Sequence, residues 1–260
     1  MTLKIPPLPA EVLFHILGFS ITNTIINTWI AMVIFLCLGI AIKRHISMKP
    51  GKLQNASEFF LEQILGYFDQ VTGNREKTIR FLPIVGSIFF FVLLSNWLGI
   101  IPGTGNLTYH HEFVLRSANS DLNLTLAMAL VSVILSHVYA FMSIGVFTHL
   151  GKFVQIKKVF LSLKKGPIAV ISAIVEFFVG LLEIISEVAK VISLSLRLFG
   201  NVFAGEVLMM VLSSLIALLV PTPFMLLELF VGIIQAAVFA MLTLVYMSTA
   251  VEIPHGSRKH

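Results

Sequence analysis

Residues 168–220 read IAVISAIVEFFVGLLEIISEVAKVISLSLRLFGNVFAGEVLMMVLSSLIALLV. These fifty-three residues contain no proline, yet carry Glu176, Glu183, Glu187, Lys190, Arg197, Asn201 and Glu206 within otherwise lipid-soluble sequence. A continuous helix of this length spans about 80 Å at ~1.5 Å per residue, against a hydrocarbon core of about 30 Å. It either breaks or lies steeply tilted. A break near Gly200-Asn201 makes two spans and carries the C-terminus across the bilayer, in conflict with the basic tail that holds Arg258 and Lys259. The stretch is therefore read as one long tilted helix. It opens after Gly166-Pro167, where proline suits a helix start. Pro221-Thr222-Pro223 reverses the chain into a last helix over 224–251.

An ionised side chain at mid-membrane costs at least about 2.5–3.5 kcal/mol, so these groups must face protein or water. At 100° per residue, steps of seven drift by only about 20°, which places Glu176, Glu183, Lys190 and Arg197 on one slowly winding stripe. Asn201 stays with Arg197, and Glu206 falls on the opposite side of the helix. On the last helix Glu228 and Gln235, seven apart, share a face. If the two helices fold back at Pro221, Glu206 and Glu228 line one outside-facing cavity, share a proton and titrate as a coupled pair. Helix packing through Glu187-Lys190 or Glu183-Lys190 is the competing reading for those residues. Arg197 has no acid three or four residues away to pair with.

Outward from this region, 25–42, 81–101 and 122–150 are read as further spans, the last long enough to tilt or overhang. Residues 53–70 alternate Phe59, Phe60, Ile64, Leu65 and Phe68 with Glu58, Glu62, Gln63 and Asp69, an amphipathic helix expected in the inner interface, though a helix packed on another subunit reads the same way. Trp97 is expected as an aromatic anchor and Ile101-Pro102-Gly103 as a helix stop. The fold class is thus an all-α integral membrane protein, a single membrane domain. It has five membrane-embedded helices plus one interfacial amphipathic helix, and the last two embedded helices form a long tilted hairpin.

Composition agrees, with 57% hydrophobic and 12% charged residues against roughly 45–50% and about 25% in soluble domains, and a mean hydropathy of +0.94. Fourteen of the eighteen Lys and Arg lie in 43–80, 152–165 and the tail. By the positive-inside rule the N-terminus is outside and the C-terminus inside, Arg116 and Lys4 being cations of the outer side. A net charge of +5 arranged this way reports topology and not nucleic acid. No cleavable signal peptide is apparent. The one cysteine, Cys37, is read as a small buried hydrophobe, which leaves no disulfide framework or thiolate zinc site. His110 and His111 read as loop residues, His137 as a buried or water-contacting histidine, and no metal or cofactor is expected. The N-x-T triplets at Asn106 and Asn123 matter only in a glycosylating lumen.

The run Ser195-Leu196-Arg197-Leu198-Phe199-Gly200-Asn201, continued by Ala204-Gly205-Glu206, resembles the signature of subunit a of the F-type ATP synthase. Similarity extends to Asn96-Trp97-Leu98-Gly99-Ile100-Ile101-Pro102-Gly103, to the Gln235 helix with Thr243-Leu244-Val245-Tyr246, and to the order of spans. The resemblance implies the membrane stator of a rotary machine, in which two offset aqueous half-channels meet a ring of c subunits that each bear a carboxylate. Arg197 matches the family's essential arginine. Asn201 and Gln235 match polar neighbours of that arginine, Glu206 and Glu228 the outside relay, and Glu183 an acidic position of the inside half-channel. Glu176, Glu187 and Lys190 are added from the stripe as further lining. Many family members carry a histidine at one of the two outside relay sites; here both are glutamate. The partners so implied are the c-subunit ring, the peripheral-stalk b subunits, the rest of the synthase, the lipid bilayer and the transported proton. A bacterial plasma (inner) membrane is the expected location, ahead of an organelle inner membrane.

Two rival classes would also place charges within a membrane. A secondary transporter with an intramembrane charged binding site calls for internal repeats and paired broken helices, and the halves show no such self-similarity. An intramembrane hydrolase needs a nucleophile-base set or an H-E-x-x-H metal cluster, and neither occurs. No G-x-x-x-x-G-K-[ST] phosphate loop is present, so the isolated chain is not an enzyme acting on nucleotides.

Overall fold

The computed structural model describes residues 10–16, 18–47, 50–101, 108–109, 112–113, 116–146, 149, 167–215 and 221–251. The expectations on Lys4, His110, His111, Asn106, the 152–165 connection and the tail lie outside these residues. Helices dominate. The chain enters through a two-stranded antiparallel hairpin, β1 (Val12–Ile16) and β2 (Phe19–Thr22), which the all-helical expectation did not include. Gly18, at φ 87°, supplies the left-handed turn between them. Thr22 then caps α1 (Asn23–His45) by accepting from the Ile25 amide. At the other end of α1, Lys43, Arg44 and His45 complement the negative end of the helix dipole.

After α2 (Lys52–Thr72), Gly73 at φ 64° forms a left-handed cap and Asn74 starts α3 (Arg75–Ile100) by accepting from the Glu76 amide at 2.8 Å. The second span was expected from 81; the helix begins six residues earlier because Asn74 caps the basic stretch that precedes it. Short strands β3 (Thr108–Tyr109) and β4 (Glu112–Phe113) pair in the following loop. A 3-10 turn at Ala118–Ser120 leads to α4 (Leu122–Ile144), capped by Asp121.

The third span does not run to 150. It stops at Ile144, where Gly145 adopts φ 82° and its amide bonds back to the Phe141 carbonyl. A glycine enters that conformation at little cost, so the 29-residue run is interrupted where hydropathy alone shows no break. In α5 (Pro167–Leu215, 49 residues) the helix passes through Gly200-Asn201 without a break, as the reading of 168–220 required. Residues 216–220 lie outside the described part. Pro221 and Pro223 are not a separate turn but the first residues of α6 (Pro221–Val251), where a missing N–H and a fixed φ are compatible with helix.

Among the described residues four helices, α1, α3, α4 and α6, are long and apolar enough to cross a membrane. Lipid tails are as apolar as leucine, so packing between such helices depends on close approach and polar contacts. On α6, Gly232, Ala236 and Ala240 recur at intervals of four and form a stripe of small buried residues. Ala236 and Ala240 belong to one core with Val85, Phe89 and Val92 of α3 and Leu194 and Leu198 of α5. Most of α1 faces outward, including Val33, Leu36 and Ile40. Cys37 shares that exposure and is not buried, because α1 touches the bundle mainly near its N-terminus.

A network of side-chain amides pins segment 116–121. Asn119 Nδ2 donates to Asn96 Oδ1 at 2.7 Å, Asn96 Nδ2 donates to the Gly232 carbonyl at 3.2 Å, and Asn27 Nδ2 donates to the Arg116 carbonyl at 2.8 Å. The Thr24 hydroxyl donates to Asp121 Oδ2 at 3.0 Å. Trp97, expected as an interfacial anchor, is half-buried and gives its indole N–H to the Leu229 carbonyl at 3.4 Å. Gly99 has no room for a side chain, since a Cβ there would meet Ser117 Cβ at 2.5 Å.

Replacing Asn119 with alanine removes the donor to buried Asn96, a loss of about 1–3 kcal/mol. The expected outcome is a lower melting temperature for the purified assembly in detergent. An unchanged melting curve would mean that Asn96 finds another donor.

Candidate functional site

The polar residues of α5 and α6 separate into two regions. In the first, Glu206 and Glu228 line one cavity of about 20 Å³ with Asn201, Asn96 and Ser117, room for about one water. This brings together the two carboxylates that the hairpin argument paired, and they are close enough to interact electrostatically. Gly205 makes the approach possible: a Cβ at 205 would run into the Glu228 carboxylate. Glu228 and Asn201 also border an adjoining, mainly apolar space of about 210 Å³ that includes Gly205 and Leu208.

Glu206 has a partner that the sequence did not suggest. Arg116, read as a cation of the outer loop, is buried, and its Nε donates to Glu206 Oε2 at 3.0 Å. Its guanidinium carbon also lies 5.9 Å from the centroid of the Phe203 ring, one turn from Glu206 on the same helix. The Ser117 backbone and the Ser120 hydroxyl stand beside the same carboxylate. Burial of Arg116 follows from the amide network, which fixes its carbonyl to α1 and its neighbours to α3.

The second region is a cavity of about 460 Å³, large enough for several waters, lined by Glu183, Glu187 and Lys190 from α5, Ser136 and His137 from α4, His149, and Tyr246 and Thr249 from α6. Lys190 Nζ donates to Glu187 Oε1 at 2.6 Å, the first of the two pairings considered from spacing. The same ammonium lies 5.1 Å from the centroid of the Tyr246 ring. His137 Nε2 stands 3.5 Å from Glu187 Oε2, and His137 Nδ1 stands 3.0 Å from His149 Nε2. Among the described residues no group of three or more His, Cys, Asp or Glu is arranged to hold a metal ion.

Arg197 belongs to neither cavity. It is exposed on α5, where its Nη2 donates to the Ser193 hydroxyl at 3.5 Å, and no carboxylate pairs with it among the described residues. The exposed positions closest to it along α5 are Ile192, Ser193, Leu196 and Gly200, of which Ile192 and Leu196 are about half exposed. Because α5 is continuous, Arg197 stands about 10 Å along the axis from Lys190 and about 14 Å from Glu206. The cation thus lies between the two polar regions.

Asn201 and Gln235 do not hydrogen-bond to Arg197 among the described residues. Asn201 lines the first cavity, while Gln235 is buried on α6 with its amide nitrogen unpartnered among the described residues. Glu176 is exposed and lies outside both cavities. Sequence reasoning missed Arg116 and the His137–His149 contact because each depends on chain reversal: segment 116–121 folds onto α1 and α3, and Gly145 turns His149 back toward α4. A glycine within an apolar run was the available signal for the second.

The family described as "ATP synthase A chain" matches residues 25–248. ATP synthase subunit a of Moorella thermoacetica is 32% identical over 244 residues, covering 94% of this chain and 97% of that protein. The subunit a of Syntrophobacter fumaroxidans is 33% identical over 238 residues, 91% of this chain and 87% of that one. That of Gloeobacter violaceus is 34% identical over 233 residues, with 88% and 84% covered.

Removing one partner of a buried ion pair costs about 3–5 kcal/mol, because the other charge is left alone. Arg116→Gln should therefore lower the thermal stability of the assembly, and adding Glu206→Gln should recover most of the loss. A double variant as unstable as the single would show that Arg116 acts through something other than this pair.

Proposed function

The chain belongs to the ATP synthase A chain family, and we propose that it is the stator of a rotary F-type ATP synthase that carries protons through two aqueous half-channels. The supporting observation is the position of Arg197, a cation on an exposed apolar face of α5, between one polar cavity and another. The exposed apolar residues near it on α5, Ile192 and Leu196, mark a surface that is not water-facing. An arginine buried for packing would have a carboxylate. A surface of this kind fits a second apolar wall that brings its own negative charge, which is what a ring of c subunits offers.

On this reading each residue has a task. A proton arriving from outside meets Glu228 and Glu206 in the small cavity. Arg116 balances the charge of Glu206, which leaves Glu228 as the carboxyl that hands the proton toward the ring. The ring carboxylate rotates through the bilayer in its neutral form and is discharged on the other side of Arg197, into the larger cavity with Glu183, Glu187 and Lys190. Glu176 extends that polar track along α5.

Arg197 separates the two routes. A guanidinium does not give up its proton in a protein, so it keeps each passing carboxylate ionised and blocks a direct leak. Lysine would replace it poorly, since an amine titrates when buried and lacks the planar fork. Asn201 and Gln235 supply polar groups that position the arginine or its waters once the ring is in place.

Five embedded helices, α1, α3, α4, α5 and α6, with α2 in the inner interface, complete this reading. α5 and α6 form the tilted hairpin against the ring, and the peripheral-stalk b subunits hold the stator. The basic residues put the N-terminus outside and the C-terminus in the cytoplasm of a bacterium. Nucleotide chemistry takes place elsewhere in the synthase, and the chain by itself catalyses no reaction.

In vesicles containing the assembled synthase, Arg197→Ala should abolish ATP-driven proton uptake while the complex stays assembled. Coupled pumping at the rate of the unaltered complex would refute the assignment.

A further inference from the structure

Between α2, α3 and α6 lies an apolar groove of about 320 Å³ that shares no lining residue with either polar cavity. Ile64 and Phe68 of α2 and Phe89 of α3 form its buried side, while Phe60 and Tyr67 stand exposed along α2. On α6 the lining residues are Ile233, Ala237 and Met241. They recur every four residues, so the groove follows that helix for about 12 Å. An apolar cavity of this kind stays dry and takes an apolar guest.

Its walls favour a hydrocarbon chain over a helix. Close packing of helices in lipid depends on small residues, and Gly232, Ala236 and Ala240 of α6 are buried in the core instead. The groove offers aromatic rings, Ile233 and Met241, with Ala237 as its one small lining residue. A helix about 10 Å across fills about three times this volume over the same length, so it would lie over the groove and not in it.

The charges of α2 select the head that such a chain carries. At 100° per residue, Glu58, Glu62 and Asp69 fall together about 170° from the groove residues of α2. Exposed Lys52, Gln63 and Gln70 fall within about 20° of one line along the groove's edge, with Tyr67 beside them. Each of these four side chains donates hydrogen bonds, and none is negative. The Ser47 amide donates to Gln54 Oε1 at 3.0 Å, which ties the basic end of α1, with Lys43 and Arg44, to the Lys52 end of α2. Phosphate and ester oxygens, which only accept, suit such an edge.

We infer that the groove binds one acyl chain of an anionic phospholipid of the inner leaflet, with the phosphate on the edge of α2 between Lys52 and Gln63. The ester groups then meet Gln63 and Tyr67, and the chain runs past Phe89 along Ile233, Ala237 and Met241. The bound lipid fills the space that α2 leaves against α3 and α6. The inference takes from the stator reading only the placing of α2 at the inner interface.

The test places the assembled synthase in vesicles of equal parts phosphatidylglycerol, which is anionic, and phosphatidylcholine, which is not. After extraction and washing in detergent, mass spectrometry of the intact complex counts the phospholipid it keeps. Ala237→Phe puts a ring into the groove and should leave the complex with one phosphatidylglycerol fewer. If that variant does not assemble, a photo-crosslinker at exposed Tyr67 (Tyr67→benzoylphenylalanine) carries the test in the same vesicles. It should capture phosphatidylglycerol in preference to phosphatidylcholine, and adding Lys52→Glu should lower that preference at least about five-fold, the effect of one charge at an anionic surface. Equal capture of the two lipids, or capture of a helix of another subunit, would overturn the site. Equal lipid counts with and without Ala237→Phe, while Arg197→Ala fails to pump, would overturn the site and leave the stator reading standing. A lipid lost with Ala237→Phe while Arg197→Ala still pumps would support the site and overturn the stator reading.

Discussion

An ionised side chain inside hydrocarbon has no solvent of its own, and each one in this chain must find protein, water or another molecule to balance it. Glu206 is balanced by Arg116, and Glu187 by Lys190 together with His137. Arg197 has no acid from its own chain among the described residues and stands on an apolar, outward-facing surface. The placing of helices, cavities and the tight segment 116–121 satisfies the first two groups and leaves Arg197 exposed on α5.

Helix packing provides the means. With little hydrophobic gain between apolar helices in lipid, contact depends on small residues and on hydrogen bonds that the bilayer cannot supply. Gly232, Ala236 and Ala240 let α6 approach α3, and Asn96 crosses the gap to the Gly232 carbonyl. Gly99 admits Ser117, and Gly205 admits Glu228. The chain segments that resemble the family's signature are therefore also places where two backbones or a backbone and a carboxylate come too close for a side chain.

Helix existence was legible from sequence because apolar runs of this length have one stable form in a bilayer, with backbone groups bonded within the segment. Boundaries were less so. Asn74 and Gly145 shift the ends of α3 and α4 by local capping, an effect of single residues that a hydropathy run averages away. Pro221 and Pro223 read as a turn, though the first turn of a helix tolerates them equally. Cys37 was read as buried because cysteine usually is, but the face of α1 it occupies is exposed among the described residues.

The sequence by itself determined the helical membrane architecture, the single uninterrupted α5, and the common face of Glu183, Lys190 and Arg197, because period and hydropathy along one helix are local properties. Lys190-Glu187 pairing also follows from a spacing of three. Only the tertiary structure decided that Glu206 pairs with Arg116, that Glu228 reaches the same cavity past Gly205, and that His149 returns to His137. These contacts span 90, 22 and 12 residues, and their geometry comes from chain reversals and close approaches between helices that no periodicity encodes.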